Sequence, residues 1–148
     1  MQVHIKTNEQ MKQIIFLLAF LPFIGLSQTK PVSVKESIPD PKMKIGMVIY
    51  SNDPETVWNA FRFGNFAIGE GDSVKVFLLA KGVECETLNT DKFKVTDQIK
   101  RFVENGGKIF ACGTCLTIRK KEGSEMCPLS TMQDMYDIVK WSNKVITF

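Results

Sequence analysis

Cys112 and Cys115 form a C-x-x-C pair inside the stretch Lys108-Ile109-Phe110-Ala111-Cys112-Gly113-Thr114-Cys115-Leu116. Thiols at this spacing can share one job. One attacks as the thiolate, and the other resolves the product by forming a disulfide with it. The residues around them read as a short buried strand running directly into a helix that begins near Gly113. Gly106-Gly107 ends the helix before that strand. In an open parallel sheet, ligands gather at the carboxyl ends of the strands. A thiol there also faces the amino end of the next helix, whose partial positive charge favours thiolate. Arg119 and Lys120 downstream, and Lys81 at the end of a neighbouring strand, would add positive potential.

Other chemistries find little support. His4 is the only histidine, and it lies in a segment expected to be removed. A mature chain without histidine cannot run a Ser-His-Asp triad or a Cys-His dyad, nor build a histidine-containing zinc site. The remaining thiols, Cys85 and Cys127, stand at irregular spacings for a four-thiolate zinc site, so no metal is expected. They read as small buried side chains or as partners in a structural disulfide. The turn after the first strand is Ser51-Asn52-Asp53-Pro54, with no glycine-rich phosphate loop, so no nucleotide or other cofactor is expected. A net charge of +3, with no basic cluster interleaved with aromatics, argues against nucleic acid.

The chain of 148 residues divides into three parts. Met11-Lys12-Gln13, the apolar run Ile14–Leu26 and the small residues Gly25-Leu26-Ser27 have the pattern of a secretory signal peptide, residues 1–27, cleaved after Ser27. Met11 is an alternative start. The run is shorter than the roughly 20 apolar residues of a membrane span, so no stable membrane span is expected after cleavage. Losing Lys6, Lys12 and Glu9 takes the net charge from +3 to +2. Residues 28–42, with Pro31, Pro39 and Pro41, read as an extended linker. The domain is expected over 43–148, in an exported and periplasmic protein.

Within it, Lys44–Tyr50 is a near-continuous apolar run, as in a strand covered on both faces. Ser51-Asn52-Asp53-Pro54 starts a helix, with Val57, Ala60, Phe61, Gly64, Ala67 and Ile68 at helical spacing. Ser73–Leu79 is the second strand, and Lys81–Thr90 reads as loop. Val95, Ile99, Phe102 and Val103 mark the second helix. After the cysteine junction, Leu116–Lys121 reads as a short helix with a basic tail, and Glu122–Pro128 as loop. Ser130 and Gln133 form a capping box for a helix with the apolar face Met132, Met135, Tyr136 and Val139. Lys144–Phe148 is the last strand. This alternation implies right-handed crossovers and a parallel sheet with helices on both sides. A thioredoxin fold would need two more strands and a proline loop after the cysteine helix.

Gly106–Cys115, Ser130-Thr131-Met132-Gln133-Asp134 and the terminal Trp141–Phe148 together resemble the DsrE/DsrF-like (DsrEFH) sulfur-relay family, in its CGTC-bearing branch. The resemblance covers about Met43–Phe148. It implies a three-layer α/β/α fold around a mainly parallel sheet of about five strands, and homo-oligomers, trimers or hexamers. It also implies that Cys112 carries sulfur as a persulfide, with sulfur donor and acceptor proteins or small persulfides as partners. The leading expectation is a sulfur carrier, sulfurtransferase-like, with Cys112 loaded and Cys115 resolving. The competing ones are an exported thiol–disulfide redox protein using the same pair and a non-enzymatic oligomeric binding protein.

Overall fold

A computed structural model describes residues 42–148. The expected signal peptide and all but the last residue of the expected linker lie outside the described residues. Ten elements follow: β1 (Lys44–Ile49), α1 (Pro54–Gly69), β2 (Ser73–Leu78), a 3-10 segment (Ala80–Thr87), α2 (Val95–Glu104), β3 (Lys108–Cys112), α3 (Gly113–Ile118), β4 (Leu129–Ser130), α4 (Met132–Trp141) and β5 (Lys144–Thr147).

The five strands form one sheet in the order β4-β3-β2-β1-β5, and every neighbouring pair is parallel. β1 is buried from Ile45 to Ile49 because helices lie on both sides of it. Successive side chains of a strand point to opposite faces, and here the faces can be told apart. A methyl group added at Gly46 would meet Ile138 and Ser142 at the end of α4, whereas Met47 reaches Gly64 of α1. α1 and α2 therefore share one face, where they pack on each other, and α4 covers the other. This is the three-layer α/β/α arrangement that the alternation of elements implies.

The helices form for local reasons. Asp53 caps α1 by accepting the Thr56 N–H at 2.8 Å, and Pro54 opens the first turn, where it loses no hydrogen bond. Val57, Ala60, Phe61, Gly64 and Ala67 then form its buried stripe. α2 buries Val95, Ile99 and Phe102, and the Phe102 ring meets Phe61 edge-on at 5.6 Å. Each such ring contributes about 2–3 kcal/mol through burial. After α2, Gly106 takes φ +90°, a turn that only glycine enters without strain.

Four sequence expectations are corrected. Lys81–Thr90 is not plain loop, since Ala80–Thr87 coils as a 3-10 helix. The short helix ends at Ile118, not Lys121, because Lys120 turns into the left-handed region at φ +53°. The capping box is Thr131 with Asp134, one residue beyond Ser130 and Gln133, because the Ser130 hydroxyl is turned to the Pro128 carbonyl, 3.1 Å away. The stretch before α4 holds the strand β4, whose 2 residues are too few to show a strand pattern in sequence.

Candidate functional site

Cys112 closes β3 and stands at the N-cap position of α3, with φ −55° and ψ 111°, and its side chain makes no capping bond. It is 5% exposed. Its register partner on the edge strand is Ser130, itself buried. Cys115 lies in the first turn of α3 and is half-buried. The structure thus brings the two expected site residues to one junction, with Cys115 the more accessible. The junction is at the carboxyl end of the sheet but not at its switch point. The chain's progress across the sheet reverses at β1 and β5, two strands away from β3.

Cys115 meets a donor that no side-chain pattern announces. The Ala80 N–H points at Cys115 Sγ, 3.2 Å away. Ala80 holds φ +49°, a left-handed conformation uncommon for a residue with a side chain. Its neighbours enforce the turn. The Leu79 N–H donates to the Ile49 carbonyl, and the Gly82 N–H turns back to the Leu79 carbonyl, both at 2.9 Å. Gly82 lies so close to β1 that any side chain there would collide with the Ile49 carbonyl. The 3-10 segment is thereby pressed onto the sheet, and its first amide is aimed at the thiol.

Burial pushes the Cys115 thiol above its ordinary value, and hydrogen bonding and like charge from Cys112 push the same way. The Ala80 amide and the Arg119 guanidinium pull it back. Cys115, the partner expected to resolve rather than to attack, thus stays above its ordinary value, because its desolvation and its neighbour Cys112 outweigh the Ala80 amide and Arg119.

Of the three cations expected to help, Arg119 is the one that acts on Cys115. Its guanidinium donates to the Cys115 carbonyl at 3.1 Å and lies 3.6 Å from Glu84 on the 3-10 segment. Glu84 also accepts from the Asn52 side chain at 3.0 Å. The chain Asn52–Glu84–Arg119 ties the β1–α1 turn, the 3-10 segment and α3 together beneath the dithiol. Glu84, Asn52 and the Ala80 amide had no signal in the sequence.

Cys85 and Cys127 form a second pair of free thiols, buried, with their sulfurs 4.0 Å apart. Among the described residues, no three His, Cys, Asp or Glu side chains come together as a metal site. Neither thiol pair lines the groove of about 350 Å³ between Asp53–Glu55 and Thr90–Phe93.

Comparison with known proteins adds to this geometry. Residues 43–148 match the family model of the DsrE/DsrF-like family. An uncharacterized protein of Methanopyrus kandleri is 32% identical over 110 residues, which cover 68% of this chain and 91% of that protein. An uncharacterized protein of Methanocaldococcus jannaschii is 32% identical over 100 residues, covering 64% of this chain and 88% of that protein.

Proposed function

The chain belongs to the DsrE/DsrF-like family, and from that premise we propose that it is a sulfur carrier that loads sulfane sulfur on Cys112 and releases it through Cys115. Membership supports a role of the sulfur-relay type, exercised with partner proteins and in oligomers. The observation that carries the finer reading is the dithiol itself. Two thiols three residues apart stand where β3 ends and α3 begins, with the Ala80 N–H 3.2 Å from Cys115 Sγ and the Arg119 guanidinium on the Cys115 carbonyl.

In the proposed cycle, the Cys112 thiolate attacks the outer sulfur of a persulfide donor R–S–SH. A Cys112–S–SH persulfide forms and RS⁻ departs. An acceptor thiolate can then take the outer sulfur and leave Cys112 as thiolate. Without an acceptor, the Cys115 thiolate attacks Cys112 Sγ, expels HS⁻ and leaves a Cys112–Cys115 disulfide, which an external dithiol reduces. Burial of Cys112 shields the persulfide from water between the two steps. The carrier works outside the cytoplasm if the run Ile14–Leu26 is a cleaved signal peptide.

The test is intact-protein mass spectrometry with peptide mapping, before and after polysulfide. Wild-type protein should gain sulfur on Cys112 transiently and then release it as HS⁻ as the Cys112–Cys115 disulfide forms. Cys112→Ser should gain none while keeping its fold, and Cys115→Ser should load fully but fail to release HS⁻ without an acceptor. Loading on Cys115 in the Cys112→Ser protein would sink the assignment. A Cys112–Cys115 disulfide formed without release of HS⁻, with no sulfur retained by the Cys115→Ser protein, favours the thiol–disulfide redox reading. The same spectrum should show Gln28 as the first residue of protein recovered from cells.

A further inference from the structure

The sulfur-carrier cycle leaves two of the four thiols unused. Cys85 and Cys127 are 42 positions apart in sequence, yet their sulfurs are 4.0 Å apart with no bond between them. Cys85 is fully buried and Cys127 is 3% exposed. They sit in a seam between two segments. Along the 3-10 segment, consecutive residues each find a partner in the stretch 119–127. Glu84 pairs with Arg119, Cys85 with Cys127, Glu86 accepts from the Ser124 hydroxyl at 2.8 Å, and Thr87 meets Lys121. The Ser124 hydroxyl in turn accepts the Cys127 N–H at 2.9 Å. The same 3-10 segment begins with Ala80, whose amide touches Cys115.

We infer that Cys85 and Cys127 are a second redox pair, which a low-molecular-weight disulfide closes to a cystine that fastens the 3-10 segment to the loop after α3. The step balances without another co-reactant. One thiolate attacks R–S–S–R, forming a mixed disulfide and releasing RS⁻. The second thiolate attacks the protein sulfur of that mixed disulfide and releases another RS⁻. The two thiol protons end on two RSH, so the pair is oxidised as the small disulfide is reduced. Contact with Cys85 and burial hold the Cys127 thiol far above its ordinary value. With Cys85 at 0% and Cys127 at 3% exposure, a disulfide reagent reaches the pair only when the seam opens, so closure takes place as the chain folds or as the loop lifts. The pair needs only a small approach of two sulfurs already in contact. The closed loop restricts the unfolded chain, so the cystine form should be the more stable.

The experiment uses the Cys112→Ser/Cys115→Ser chain, refolded from denaturant in oxidised and reduced glutathione, with wild-type protein in parallel. Remaining thiols are alkylated in denaturant and the peptides mapped. We expect loss of two hydrogens per chain, a linked Cys85–Cys127 peptide, and a melting midpoint roughly 10 °C above the reduced form. With Cys85→Val/Cys127→Val added to that Cys112→Ser/Cys115→Ser background, the chain should fold and show no redox-dependent midpoint. Recovery of both residues alkylated, glutathione left on either one, or a cystine form no more stable than the dithiol would each overturn the inference. So would a redox-dependent midpoint that persists in the valine variant.

Discussion

At Cys115, burial and Cys112 raise the thiol, while Arg119 and the Ala80 amide lower it. The thiolate is the nucleophile, so alkylation of Cys115 should climb with pH through the alkaline range. Arg119→Ala removes one of the two groups that favour the thiolate. Its effect has a definite sign: Cys115 rises further, alkylation at about pH 8 slows, and the climb moves to higher pH. Peptide-resolved alkylation rates across pH check this. A merely looser α3 would speed alkylation without moving the profile, and an unmoved profile would refute the electrostatic role. Cys112 and Cys115 were legible in the sequence because a thiol's chemistry travels with its residue type. The Ala80 amide was not, since every residue but proline has one and only the fold decides where it points. Arg119 was visible as a charge, but its attachment to the Cys115 carbonyl and Glu84 depends on where α3 ends.

Among the elements, the 3-10 segment decides the site's shape, and Gly82 decides the 3-10 segment. Gly82→Ala forces a methyl group against the Ile49 carbonyl. We expect a cost of about 2 kcal/mol from overpacking, read as a fall of roughly 10 °C in Tm, and faster alkylation of Cys115 as Ala80 withdraws. A stable variant with unchanged Cys115 reactivity would show that the segment reaches its place without that close approach. The long elements were readable from periodicity: the buried stripes of α1 and α2 fall on the apolar positions at helical spacing. β4, with 2 residues, is too short to show any period. The 3-10 segment buries Gly82, Val83 and Cys85, a cluster too short to show a helical period in sequence. The cap moved from Ser130 to Thr131 because adjacent residues both fit the pattern, and only the hydrogen bond to the Pro128 carbonyl separates them.

In the molecule as a whole, the two faces of the sheet are unequally clothed. α1 and α2 cover one, and α4 alone runs across β1, β2 and β3 on the other. α4 spends Ile138 on the core and leaves Met132 at 60% and Tyr136 at 57% exposure, with Leu129 at 62% nearby in sequence on the edge strand. Oligomers are the rule in this family, and the exposed apolar side chains favour assembly through α4. Wild-type chain should sediment as an oligomer, and Met132→Glu/Tyr136→Glu as a monomer of unchanged helix content. A variant that still assembles would move the interface elsewhere. The strand order has a consequence in time. Among the described strands β1 is made first and its outer neighbour β5 last, with the Lys44 N–H bonded to the Asn143 side chain 99 positions on. Until β5 emerges from the ribosome, β1 keeps one open edge of unpaired amides and carbonyls, a template for any other extended chain. β5, 4 residues long against the 6 of β1, then takes over as the edge, and a ribosome stalled before it would leave the longer edge of β1 open.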